Sequence, residues 1–147
     1  MPRPLTEHER QAFLAGQHVG ILSVANDDSR PPLAIPIWYG YEPGGDVTFF
    51  TGMGARKVGL IQRAGVLSLC VQQEQPPYQY VTVEGTVVQT DQPPGAAQLL
   101  AVVRRYLPED QAQGMVAANL ESGGNELILF TIRPDRWLTA DFSDDMG

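Results

Sequence analysis

The chain has 147 residues with 43% hydrophobic, 18% charged and 8% aromatic content, a globular balance that fits one domain over 1–147 and excludes extended disorder, collagen repeats and coiled coil. Ten Lys and Arg stand against seventeen Asp and Glu, for a net charge of -7. Neither nucleic acid nor an anionic membrane is therefore expected as a partner, and any bound anion must meet a local basic cluster. The single cysteine, Cys70, excludes an internal disulfide, and its place in the apolar run 66–71 predicts a buried strand thiol. The opening MPRPLTEHER lacks the apolar core of a signal peptide, and no stretch approaches the roughly 18 apolar residues of a membrane span. A cytoplasmic protein is expected.

Thr6 and Glu9 have the spacing of a capping box, which predicts a helix over 7–15 with Phe13 and Leu14 facing inward. A strand over 18–25 follows, then the polar turn 26–29 and a second strand over 33–41. Pro43-Gly44-Gly45-Asp46 turns the chain into a third strand at 47–51. These loops are too short for crossover helices, so the sheet is expected to be antiparallel. A short helix over 56–63 precedes a strand at 66–72, and Pro76-Pro77 breaks the chain before a long strand over 78–88. Leu99, Val102, Val103 and Tyr106 share one apolar helical face that Pro108 stops, and a second helix spans 109–120, closed by Gly123-Gly124. The last long strand is 126–132, with 137–139 a short addition. Six strands and few helices predict a β-rich α+β fold, an antiparallel barrel whose closure removes exposed sheet edges.

Three segments could carry chemistry. In VTFFTGMGARK (47–57) a strand ends, glycines allow a tight turn, and a helix opens with Arg56 and Lys57, the latter the only lysine beside nine arginines. Such a start offers free amides, a positive dipole end and two cations to a phosphate, although a surface turn with two solvated cations satisfies the same pattern. It matches neither the P-loop spacing nor G-x-G-x-x-G. In Ile35-Pro36-Ile37-Trp38-Tyr39 the proline removes a ladder amide and marks an edge or bulge that leaves backbone groups free for a ligand; the plainer reading is a barrel strand with Ile35, Ile37 and Tyr39 inside. In the third, Tyr78, Tyr80, Thr82 and Glu84 alternate with Val81, Val83 and Val87, so two tyrosines could stack on a ring or line a subunit interface. His8 and His18 are the only histidines, too few for an imidazole metal site or a Ser-His pair, and Asp141, Asp144 and Asp145 read as a solvated tail. No catalytic side chain is assigned and no metal site is expected.

Taken together, IPIWYG, the TGMGARK turn, PPYQYVTVEG and the terminal IRPDRW resemble the pyridoxamine 5′-phosphate oxidase-like split β-barrel superfamily. The nearest likeness, over about 18–137, is to its actinobacterial B group of deazaflavin (coenzyme F420)-dependent reductases. The resemblance implies a homodimer with each cofactor in a groove between two chains. It implies that Arg56 and Lys57 hold the phosphate with help from Thr51 and Gly52, that Pro36, Ile37 and Trp38 lie along the ring, and that Tyr78 and Tyr80 come from the second subunit. Met53-Gly54-Ala55 stand where many relatives carry Ser or Thr before the Arg-Lys pair. The implied activity is hydride transfer from reduced F420 to an unsaturated or conjugated organic acceptor, with Arg30, Arg63 or Arg104 lining the groove for the cofactor's anionic tail. FMN as cofactor, or non-catalytic binding of a flavin or tetrapyrrole, are the alternatives. A deazaflavin or flavin carries out hydride transfer itself, which accords with the lack of a triad.

Overall fold

The structure is a computed structural model that describes residues 1–123 and 126–146. Helix α1 (Glu7–Ala15) opens on the expected capping box: the Thr6 hydroxyl accepts from the Glu9 amide at 3.2 Å, and the Glu9 carboxylate accepts from the Thr6 amide at 2.9 Å. Arg3 donates to the same carboxylate at 2.9 and 3.0 Å. Next come β1 (Gly20–Val24), β2 (Leu33–Ile37), β3 (Val47–Gly52), α2 (Arg56–Ala64), β4 (Val66–Gln73) and β5 (Gln79–Asp91). The chain continues through α3 (Ala96–Val103), α4 (Glu109–Glu121), β6 (Leu127–Asp141) and the single turn α5 (Ser143–Met146).

The six strands form one antiparallel sheet in the order β2-β1-β4-β5-β6-β3. The two long strands β5 and β6 curl it, with register shifts at Glu84/Gly85 and between Val87 and Gln89. A Cβ on Gly85 would lie 2.5 Å from Ile132 Cγ2 and 2.6 Å from the Arg133 carbonyl oxygen, so the first shift requires glycine. The curl brings the sheet's two ends together just beyond β2, where Gly40 and Thr48 exchange N–H···O bonds of 2.7 and 2.9 Å. One bridge, in place of a full ladder, closes this split barrel. Gly40 is confined there, because an added Cβ would sit 2.7 Å from Thr48 Oγ1.

Alternation along the strands fills the interior with Leu22, Tyr39, Phe49, Leu69, Val81 and Phe130, and a smaller core forms where α3 and α4 cover Trp38, Phe50 and Leu127. Several sequence expectations need correction. Ladder pairing in β2 ends at Ile37 and does not reach Tyr41. Residues 137–139 are no separate addition but part of β6, which passes Pro134 without breaking because that proline faces Gly85 beside the register shift. Tyr106 lies in the turn after α3, and Cys70 is half-buried on the outer face because its neighbours Leu69 and Val71 take the inner one. Asp141 is 4% exposed and paired to Arg3 at 2.9 Å, so it is no part of a solvated tail; bonds from the Ser143 hydroxyl and amide hold its pKa below the usual carboxylate range. Gly124 and the side chain of Asp145 lie outside the described residues.

Candidate functional site

The seam between β2 and β3 leads to the predicted phosphate turn. Carrying the Gly40–Thr48 register along both strands places Trp38 opposite Phe50, Ile37 opposite Thr51 and Pro36 opposite Gly52, but no ladder joins them. Pro36 can donate no amide to such a ladder, and Gly52 is exposed. Thr51 is turned into the barrel wall at 8% exposure, so its side chain belongs to the core face.

Beyond Gly52 the chain turns through an Ala55 N–H···O bond to the Gly52 carbonyl at 3.1 Å and enters α2. Ala55 is the N-cap residue and has no side chain to accept the first amides, and the first turn of α2 holds no acid. The helix start therefore keeps its positive end. Arg56 is exposed and Lys57 half-buried, and among the described residues neither has a carboxylate partner.

The loop between β1 and β2 folds over this start. The Arg56 guanidinium donates to the Asn26 side-chain oxygen, and Arg63 pairs with Asp27 at 2.7 Å. An Arg30 amide bond to the Asp27 carbonyl at 3.1 Å closes the turn, with Asp28 and Ser29 held at φ 58° and 60°. Left-handed backbone at two non-glycine residues is uncommon, and the arginine contacts fix the two residues just before it, Asn26 and Asp27. Arg56, Lys57 and Arg63 thus lie on α2 beside a loop that carries Asp27, Asp28 and Arg30. Arg104, like Arg63, is paired to a carboxylate, Glu109 at 2.7 Å.

Trp38 is half-buried and stacks on Tyr106, with centroids 4.9 Å apart and planes at 5°, which turns its ring toward α3. Tyr39 is fully buried and donates to the Leu14 carbonyl at 2.6 Å, and burial pushes its pKa up. His18 is structural: it stacks on Phe13 at 4.6 Å with Nε2 3.0 Å from the Phe13 carbonyl oxygen, and burial lowers its pKa.

The outer face of the sheet carries the ladder row Pro36, Ile21, Cys70, Thr82, Leu138. Ile21 and Leu138 are 42% and 48% exposed, and Tyr78 and Tyr80 lie beyond them at 40% and 37%. Two grooves lie on this face, one beside the row and one over it. One of 640 Å³ runs past Ser23, Ser68, Glu84 and Arg136, and one of 620 Å³ past His18, Ile21, Cys70 and Gln72. Within one chain the fold brings Pro36, Ile37, Thr51, Gly52, Arg56 and Lys57 to one corner. It leaves the tyrosines apart, because the Pro36 row reaches their strand only after three ladder steps, about 14 Å. Sequence reasoning missed Asn26, Asp27 and Tyr106; the polar turn was visible, but its contacts to α2 cross some 30 residues.

Residues 6–138 match the pyridoxamine 5′-phosphate oxidase family. The chain belongs to that family. Among solved structures, an F420 reductase is 21% identical with a TM-score of 0.68, covering 87% of this chain and 94% of its own. A conserved hypothetical protein of Mycobacterium tuberculosis gives 18% and 0.73 over 97% and 89%, and a FAD-binding protein of Mesorhizobium loti 19% and 0.64 over 96% of both chains. At these identities the likeness is one of fold. No curated protein matches the chain in sequence. Among the described residues no helix is long and apolar enough to cross a membrane, and no cluster of three metal-ligating side chains occurs.

Proposed function

We propose that the protein is a cytoplasmic oxidoreductase that binds reduced F420 and passes its hydride to an unsaturated or conjugated organic acceptor. The observation that carries this reading is the α2 start, where an uncapped helix end, two cations without carboxylate partners and an open strand edge meet. These residues fit a phosphate-bearing ring cofactor. The helix amides, Arg56 and Lys57 would hold the phosphate, Gly52 lets it approach the backbone, and the edge at Pro36, Ile37 and Trp38 would orient the ring. The occurrence of an F420 reductase among proteins of the same fold favours the deazaflavin over FMN. When bound, the cofactor supplies the hydride itself. The chain's part is to bind, orient and exclude water.

In the same reading two copies pair through the outer face, where Ile21, Leu138 and the tyrosines expose apolar surface, so that Tyr78 and Tyr80 of one copy approach the basic corner of the other. Light scattering at micromolar concentration should return twice 16.1 kDa, and a monomer removes the shared site. Titration of cofactor-stripped protein with F420 and with FMN tests the cofactor. The expected result is tight, salt-sensitive F420 binding and weak FMN binding. FMN preference moves the protein to flavin chemistry, and binding of neither removes the reading.

A further inference from the structure

The β1–β2 ladder pairs Gly20 with Ile37, so two further residues would bring His18 opposite Tyr39. That pair does not form. The Tyr106 hydroxyl stands in its place: it accepts from the Tyr39 amide at 3.1 Å and lies 2.7 Å from the His18 carbonyl oxygen, to which it donates, with the Tyr39 carbonyl oxygen at 3.3 Å. One hydroxyl replaces a direct strand–strand bond of about 2.9 Å by two bonds in series, which splays the strands while keeping the Tyr39 amide and the His18 carbonyl paired. One residue later the chain is on the other side of the seam, bonded through Gly40 to Thr48.

The wedge is itself held firmly. Arg105 donates to the carbonyls of Ala15, Gly16 and Tyr41 at 3.2, 2.8 and 3.3 Å, and its guanidinium lies over the rings of Tyr39 and Tyr106 at 4.8 and 5.9 Å. The Tyr106 ring then carries Trp38. A residue on the α3–α4 connection therefore touches the 36–40 segment at Trp38 and Tyr39, where the segment leaves β1.

We infer that Tyr106 is a positioning residue: its hydroxyl wedges His18 and Tyr39 apart and so sets the strand edge at Pro36–Trp38 against the phosphate corner. This rests on the cofactor reading above for its functional half, while the wedge stands on geometry alone. Without the hydroxyl, the Tyr39 amide and His18 carbonyl either close on each other or take up water, and both outcomes move the segment and loosen the Gly40–Thr48 bridge.

The test compares wild type, Tyr106→Phe and Val116→Ala, the last loosening the smaller core without touching the hydroxyl. Titrations with F420 and FMN are paired with hydrogen exchange at the amides of Tyr39 and Gly40. The expected result is that Tyr106→Phe weakens binding of whichever cofactor the wild type takes by roughly ten-fold and speeds exchange at Gly40, whereas Val116→Ala lowers Tm yet keeps affinity within about two-fold. Binding of Tyr106→Phe within about two-fold of wild type overturns the positioning role and leaves the cofactor reading intact. If wild type binds neither cofactor, that reading falls, and exchange at Gly40 decides the wedge: faster in Tyr106→Phe upholds it, unchanged refutes it.

Discussion

Two helices of nine residues begin in opposite ways. The start of α1 is filled by the chain itself, with the Thr6 hydroxyl on the Glu9 amide, the Glu9 carboxylate on the Thr6 amide and Arg3 against that carboxylate. The start of α2 has an alanine as its cap, no acid in its first turn, and two cations placed against the positive end of the dipole. The first arrangement is what stability alone selects. The second forgoes a cap worth about 1 kcal/mol and adds mild repulsion, which makes sense where an anion from outside completes it.

The contrast can be broken most forcefully at the cations. Arg56→Ala and Lys57→Ala should each weaken cofactor binding by about 1–3 kcal/mol in a fluorescence titration while moving Tm little. Filling the empty cap should sharpen it: Ala55→Asp stabilises the fold by about 1 kcal/mol in urea melts and lowers affinity for an anionic ligand. Thr6→Ala is the mirror experiment, costing about 1 kcal/mol of stability with binding unchanged. The smallest effect is expected in acid. The Arg3 guanidinium, with the Thr6 amide, holds Glu9 at about 2 against an ordinary 4.5. Because the folded chain binds the proton less readily than the unfolded one, this contribution is complete above about pH 4.5 and is lost as pH falls through about 2. Glu9→Gln should therefore flatten the stability profile over that window.

The same contrast shows what could be read from the chain and what could not. Thr6 and Glu9 lie three residues apart and declare a helix start, and the alternation around Val81 and Val83 places the β5 faces correctly. Both signals are local. At Cys70 an apolar run reads as buried on both faces, whereas the alternation of Leu69 and Val71 decides which face the thiol takes. Asp141 reads as tail in the sequence because Arg3, its partner, is 138 residues away. Tyr106 fell on an apolar helical spacing, and nothing in that spacing distinguishes a core ring from a hydroxyl bonded between two strands. The α2 start is half legible: the Arg56-Lys57 pair is visible as a motif, while the hold of Asn26 and Asp27 on Arg56 and Arg63 depends on how β1 packs beside α2.

Whether the α2 start is the anion site is tested most directly by following backbone amides of the isotope-labelled chain while F420 is added. The account predicts saturable shifts concentrated at Gly52, Gly54, Arg56 and Lys57, absent in the Arg56→Ala/Lys57→Ala double variant. Shifts confined to the outer-face grooves, with these amides unmoved at saturation, would contradict it.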